Sequence, residues 1–200
     1  MFPLGTVLLP HQTIPLHVFE PRYRAMMLDC LAGDRRFGVV LIERGTEVGG
    51  GDVRFDVGTV ATIVDAEELP DGRWTLEAVG AERLRVREWL PDDPYPQAEV
   101  DVLDEVRWSD DDGPALDGVV AGFHRVVDLA RQLGAAVDDR VIDLPGDPHW
   151  DAWVIAARAP LADLDRLAVL AAESPSARLA VLRRSIDDVA DVLASRLSGG

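Results

Sequence analysis

The sequence predicts an α+β fold in which a small twisted β-barrel with one early helix is followed by an α-helical bundle. Over residues 1–108, short apolar runs rich in β-branched side chains alternate with turns that contain glycine or proline. Beyond residue 114, the apolar residues recur at helical spacing instead. We therefore predict a β-rich lobe at 1–108 and a helical lobe at 114–200, joined by an acidic linker.

The first thirty residues contain two short strands and the early helix. Residues 2–9 and 14–19 are apolar runs bounded or interrupted by prolines, which are confined to strand starts, edges and bulges. A helical apolar stripe then begins at Pro21, a residue suited to the first helical position. Gly33 is expected to end this helix in a left-handed conformation.

Five further apolar runs complete the predicted sheet. They cover residues 37–43, 57–64, 74–79, 83–89 and 98–103. The turn at residues 69–73 joins two of them into a hairpin, and Gly80 interrupts the pattern as at a bulge or a barrel corner. The run at 83–89 alternates, which places Arg83, Arg85 and Arg87 on one face. We favour ion pairs with neighbouring acidic strands for this row over an anion-binding stripe.

Four apolar stripes predict four helices after the linker. They lie at residues 116–133, 150–157, 164–171 and 179–193. Ser174 and Pro175 form a helix-start signal before the last of them. We expect these helices to pack on one another and on the sheet.

The composition excludes several kinds of chemistry. The 36 acidic residues outnumber the 20 basic ones, giving a net charge of −16, which argues against nucleic acid as a partner. All the basic residues are arginine, so a Walker A loop, a Ser-Lys dyad and a Schiff-base lysine are absent from these residues. One cysteine and four dispersed histidines predict no metal site and no cofactor. No catalytic constellation is apparent, and we predict that the chain is not an enzyme.

No apolar run approaches the length that spans a bilayer, and no secretory signal is apparent. We therefore expect a cytoplasmic protein that does not bind membranes.

The opening motifs resemble the start of the Lon protease amino-terminal domain, also called the Lon substrate-binding domain. The shared residues include Phe2, Pro3, Pro15, Phe19, Glu20, Pro21, Arg22 and Tyr23, most of them structural in character. The resemblance implies a PUA-like β-lobe and a helical lobe that together form one unit. It also implies a non-catalytic module that binds protein or peptide and helps to select protease substrates. Lon proteases also carry ATPase and peptidase modules, for which this chain has neither the lysines nor the length.

The resemblance implies an unfolded or partner polypeptide as the ligand, and large aromatic side chains often anchor such ligands. The candidates are Trp89, Tyr95, Trp108, Trp150 and Trp153. For Trp150 and Trp153 we favour packing between the lobes, and we expect a binding groove where the lobes meet. The alternative function is a PUA-like module that binds a small ligand or RNA, for which Arg83, Arg85 and Arg87 are the candidate residues. The sequence leaves the oligomeric state open.

Overall fold

The computed structural model describes residues 1–105 and 107–199 and confirms the α+β class. The chain divides into two compact units, Met1–Glu105 and Val106–Gly200. The strands are β1 (Phe2–Leu4), β2 (Thr13–Val18), β3 (Arg36–Arg44), β4 (Val53–Glu68), β5 (Trp74–Leu90) and β6 (Gln97–Leu103). The helices are α1 (Pro21–Ala32), α2 (Gly113–Gln132), α3 (Pro148–Arg158), α4 (Asp163–Ala171) and α5 (Pro175–Ser198).

The six strands form one sheet in the order β1-β3-β4-β5-β2, with β6 also paired to β5. β1 is parallel to β3, and the other pairs are antiparallel. The predicted small twisted β-barrel is a twisted sheet that does not close, because β1 and β2 are the two ends of this order and do not pair with each other in the described residues. β1 has only three residues, and each of the two strands carries one proline, whose nitrogen cannot donate to a ladder.

β5 is one strand of 17 residues where the sequence indicated two. Its first half pairs with β2 and its second half with β6, while β4 lies along its other side. The pairing with β4 shifts register between Thr59 and Ala61, opposite Gly80, so the predicted interruption is a bulge within a continuous strand. The segment that follows β1 crosses here, because a Cβ on Gly80 would lie 2.1 Å from the carbonyl oxygen of Leu9.

Helix α1 covers one face of the β-rich unit with Tyr23, Met26 and Met27, which are buried among aromatic and aliphatic strand residues. The prediction that Gly33 is left-handed is wrong, since its φ is −102°. Arg35 takes the positive φ instead, at 62°, and its N–H donates to the Cys30 carbonyl at 2.9 Å. The chain therefore turns two residues later than the glycine signal suggested, directly before β3.

The second unit contains the four predicted helices. Ser174 Oγ accepts a hydrogen bond from the Ala177 N–H at 3.1 Å, which confirms the helix-start signal before α5. The apolar stripe of α2 is buried as expected, with Phe123 fully inaccessible. α2 and α5 form the main packing contact of this unit, and α3 and α4 pack against the same pair or each other.

Candidate functional site: an open groove between two strand edges

A cavity of about 150 Å³ lies where the sheet fails to close, and we call it the edge groove. It is lined by Phe2–Leu4 of β1, Pro15–Val18 of β2, Phe19, Glu20 and Tyr23 at the start of α1, and Glu47 and Val48 of the loop between β3 and β4. Six of the eight motif residues that carry the family resemblance are in this lining. The opening motif therefore builds a surface feature as well as a fold.

The free edge of β2 forms one side of the groove. The Gly80 N–H donates to the Gln12 carbonyl at 2.9 Å. Because the backbone groups of successive strand residues point to opposite sides, this bond shows which residues of β2 face β5. By that alternation, Ile14, Leu16 and Val18 bond to β5, while the backbone groups of residues 13, 15 and 17 point away from it. Pro15 occupies one of the outward positions, where its missing N–H costs no ladder bond. β2 thus offers carbonyl oxygens and two N–H groups to a further strand.

The wall of the groove is aromatic and its rim is exposed. The rings of Phe2 and Tyr23 meet edge to face, with centroids 4.5 Å apart and an interplanar angle of 78°. Both residues are buried, whereas Phe19 is 52% exposed. A large apolar side chain that remains in water beside an apolar cavity is available to a partner.

Glu20 and Arg22 hold the neighbouring loop in place. Glu20 Oε2 accepts from Arg22 Nε at 3.2 Å and from the Gly49 N–H at 3.3 Å. Arg22 Nη2 lies 3.5 Å from the Glu47 carbonyl oxygen, and its guanidinium stacks 4.4 Å from the Tyr23 ring centroid. These two motif residues therefore connect α1 to the loop at residues 45–52.

The loop reaches the groove through Glu47. Its carboxylate oxygen Oε1 accepts a hydrogen bond of 2.5 Å from the N–H of Gly5, the residue that follows β1. Gly49, Gly50 and Gly51 all have positive φ, which glycine adopts without steric cost. The sequence gives no signal for Glu47, because the contact joins residues 42 positions apart.

Trp89 lies under an ion-pair cluster. The Arg54 guanidinium stacks 4.7 Å from the Trp89 ring centroid, and its Nε donates to Asp52 at 2.5 Å and its Nη2 lies 3.6 Å from Asp92. Burial alone would raise the pKa of Asp52, but the hydrogen bonds from Arg54 and the backbone outweigh it and lower that pKa. Trp89 is half-buried, so part of its ring remains accessible to a partner.

Tyr95 donates a hydrogen bond from its hydroxyl to Asp29 Oδ2 at 2.7 Å. This bond, with burial as the second cause, raises the pKa of Tyr95 to about 12. Burial raises the pKa of Tyr23, the other tyrosine of the chain, to about 12 as well.

We therefore expect both tyrosines of the folded chain to have a pKa above the ordinary value. A pH titration of tyrosinate absorbance should show ionisation near pH 12, whereas the chain in denaturant should titrate near the ordinary value of about 10. Because the folded pKa values are raised, the stabilisation is complete below about pH 10 and is lost as the pH rises towards 12. Tyr95→Phe should leave a single transition, that of Tyr23. A folded-state ionisation near pH 10 in that variant would contradict the burial of Tyr23.

The aromatic candidates of the helical unit have different environments. The indole N–H of Trp108 donates to His149 Nδ1 at 3.0 Å. Trp150 is 45% exposed, but Trp153 is fully buried and stacks under the guanidinium of Arg178 at 3.9 Å. In this structure Trp153 is a core residue with no surface to offer a polypeptide.

The arginine row on β5 forms ion pairs with acidic residues. Arg83 is only 3% exposed and pairs with Glu105 at 3.0 Å. Arg87 forms a two-pronged pair with Asp101 of the adjacent β6. The ion-pair interpretation is thus confirmed for these two residues, of which Arg83 is buried and Arg87 is exposed.

Within residues 1–105 and 107–199, no group of three or more His, Cys, Asp or Glu side chains is arranged to hold a metal ion. Cys30 is half-buried and its thiol contacts the Arg36 carbonyl oxygen at 3.3 Å. Burial raises the pKa of this thiol. None of the described helices combines the length and apolar character needed to cross a bilayer.

The chain matches one protein-family model and is similar in sequence to several curated proteins. The model of the ATP-dependent protease La (LON) substrate-binding domain matches residues 1–188. The chain is 28% identical over 164 residues to Lon protease 2 of Herpetosiphon aurantiacus, across 80% of this chain and 19% of that protein. It is 33% identical over 100 residues to the Lon protease of Dictyoglomus thermophilum, across 50% of this chain and 13% of that protein. The chain thus spans less than a fifth of these two relatives.

Solved structures share the fold. A Lon N-terminal domain protein from Xanthomonas campestris superposes with a TM-score of 0.64 at 30% identity, covering 90% of this chain and 94% of that one. The N-terminal domain of a Mycobacterium avium complex Lon protease gives a TM-score of 0.67 at 17% identity, covering 93% and 97%. The second likeness bears on the fold alone.

Proposed function

Because this chain belongs to the family of ATP-dependent protease La (LON) substrate-binding domains, we propose that its β-rich unit binds extended polypeptide in the edge groove. The observation that carries this proposal is the unpaired edge of β2 beside an apolar cavity. An extended segment that adds to such an edge gains backbone hydrogen bonds whatever its sequence. Sequence-tolerant contacts of this kind suit a domain whose relatives are proteases.

The proposed ligand lies along β2 as an added strand. The outward backbone groups of residues 13, 15 and 17 bond to it, and every second ligand side chain faces the cavity beside Leu16 and Phe2. Phe19 covers the ligand from the rim. Trp89 and Tyr95 of the same unit remain proposed secondary contacts, each with accessible surface. Trp108 and Trp150 remain candidate polypeptide contacts of the helical unit.

Peptide titration tests this proposal directly. The probe is a labelled peptide of alternating valine and threonine with flanking lysines, its ends acetylated and amidated. We expect micromolar binding by fluorescence anisotropy, and a marked loss for the same peptide with alternate backbone nitrogens methylated, because methylation removes the strand's N–H donors. Equal binding of the two peptides, or binding of neither, would refute strand addition.

Phe19→Ala should weaken peptide binding about five- to tenfold, because roughly 1 kcal/mol or slightly more of apolar burial is lost at the rim. Leu28→Ala is the matched control, since Leu28 is 59% exposed on α1 and lies outside the groove lining. The dissociation constants of the three proteins give the comparison. If both variants weakened binding equally, the ligand would lie elsewhere on this unit.

The charges of this face do not favour RNA binding. Two of its three candidate arginines pair with carboxylates, and the chain carries a net charge of −16. A phosphate backbone approaching this face would meet neutralised arginines within a strongly acidic protein.

A further inference from the structure

The loop at residues 45–52 occupies part of the edge groove in the free protein. Glu47 and Val48 line the cavity together with β1 and β2, and both side chains are exposed. Val48 is an apolar residue that the loop places against the groove and leaves half in water. The loop thus fills space that the proposed ligand would need.

The hydrogen bond that Glu47 accepts resembles the one that the proposed ligand would accept. Gly5 follows β1, and its N–H donates to a carboxylate oxygen where an added strand would offer a backbone carbonyl. The carboxylate oxygen and the backbone carbonyl oxygen are both sp² oxygens that can accept a hydrogen bond from an N–H. The loop supplies from within the chain the acceptor that an extended polypeptide would bring from outside.

Three polar contacts join residues 47–49 of the loop to α1 and to the end of β1, and all three are exposed. They are Gly5 N–H to Glu47 Oε1, Gly49 N–H to Glu20 Oε2, and Arg22 Nη2 to the Glu47 carbonyl. Hydrogen bonds that water can replace contribute little net free energy, so exchange with a ligand is inexpensive. Three consecutive glycines with positive φ give the loop backbone other conformations to adopt once released.

We propose that Glu47 is an internal stand-in for the polypeptide's acceptor oxygen, and that an extended polypeptide binds by displacing the Glu47–Val48 segment from the groove. This inference rests on the proposed function, and it identifies the Glu47–Val48 segment as the part of the chain that competes with the polypeptide for the edge groove. The apparent affinity is then the intrinsic affinity multiplied by the fraction of molecules in which the loop is open. Weakening the loop contacts raises that fraction and tightens binding.

Glu47→Ala tests the competition, with the same capped valine–threonine peptide as probe. Removing the carboxylate frees the Gly5 N–H and should tighten peptide binding about three- to tenfold. Glu43→Ala is the matched control, because Glu43 is an exposed glutamate at the end of β3 outside the groove lining and its removal changes the net charge equally. We expect no change in affinity for that variant.

Amide hydrogen exchange supplies a second, independent measurement. On peptide binding to the unaltered protein, the Gly49 amide should lose protection as the loop leaves, while the Gly5 amide stays protected by its new acceptor. Unchanged or weaker binding by Glu47→Ala, or a Gly49 amide that remains protected, would overturn the displacement and leave groove binding intact. If neither the unaltered protein nor Glu47→Ala bound the peptide, both the proposed function and the displacement would fall.

Discussion

Trp153→Ala is expected to lower the free energy of unfolding of the helical unit by about 4 kcal/mol. Trp153 has no accessible surface, so the substitution removes a complete indole from a close-packed interior and leaves a cavity. It also removes the ring on which Arg178 stacks at 3.9 Å, and Arg178 is itself only 1% exposed. The buried guanidinium of Arg178 would lose its favourable contact with the indole ring, which lowers the free energy of unfolding further.

Trp150→Ala is the control, since it changes the same residue type three positions earlier on the same helix. Trp150 is 45% exposed, and we expect a loss of about 1 kcal/mol or less. Urea unfolding followed by circular dichroism gives both values, and amide exchange in α3 and α5 assigns the loss to this unit. Equal losses for the two variants would show that the indole of Trp153 is not the packing centre described.

The helices could be predicted from the sequence, but the roles of these two tryptophans could not. The apolar period and the Ser174 signal located all four helices, because both are local patterns within a single helix. Trp150 and Trp153 fall on the same stripe, and only the neighbours that pack against each one determine which is buried. Those neighbours come from another part of the chain, as Arg178 does for Trp153.

The positions of the strands could be predicted from the sequence, but whether the sheet closes into a barrel could not. Strand positions follow from apolar runs and turn residues, but pairing depends on partners that are distant in sequence. β1 pairs with β3 and β2 with β5, so the gap between β1 and β2 exists only once the whole order is known. A sequence pattern typical of a small barrel therefore could not show that this sheet stays open.

The candidate site, too, combines residues of a local motif with a contact between residues that are distant in sequence. Six residues of the family motif, which the sequence indicated to be mainly structural, line the edge groove. The aromatic criterion pointed elsewhere, to side chains chosen for their size and their proximity to loops. Glu47 belongs to the site only because a loop between two strands folds back to the end of β1, which no spacing of residues within that loop reveals.

Gly80→Ala is expected to lower the free energy of unfolding of the β-rich unit by about 3 kcal/mol. A Cβ there would lie 2.1 Å from the Leu9 carbonyl oxygen and 2.9 Å from its carbonyl carbon, far inside contact distance. The obstacle is backbone, so no side-chain rotation relieves it. The crossing segment would have to move away from the bulge, which would break the hydrogen bonds of the Gly80 N–H and carbonyl to Gln12 and His11.

Gly51→Ala separates this clash from the general cost of replacing a glycine. Gly51 has a φ of +77°, and a Cβ added there would meet nothing within 4 Å, so its substitution should cost only the left-handed strain of about 1 kcal/mol. Urea unfolding of both variants, with amide exchange in β4 and β5, measures the difference. The same movement would shift Gln12, from which β2 continues, so Gly80→Ala should also weaken peptide binding. If Gly80→Ala were no more costly than Gly51→Ala, the close crossing over β5, and with it the position of the β2 edge, would be wrong.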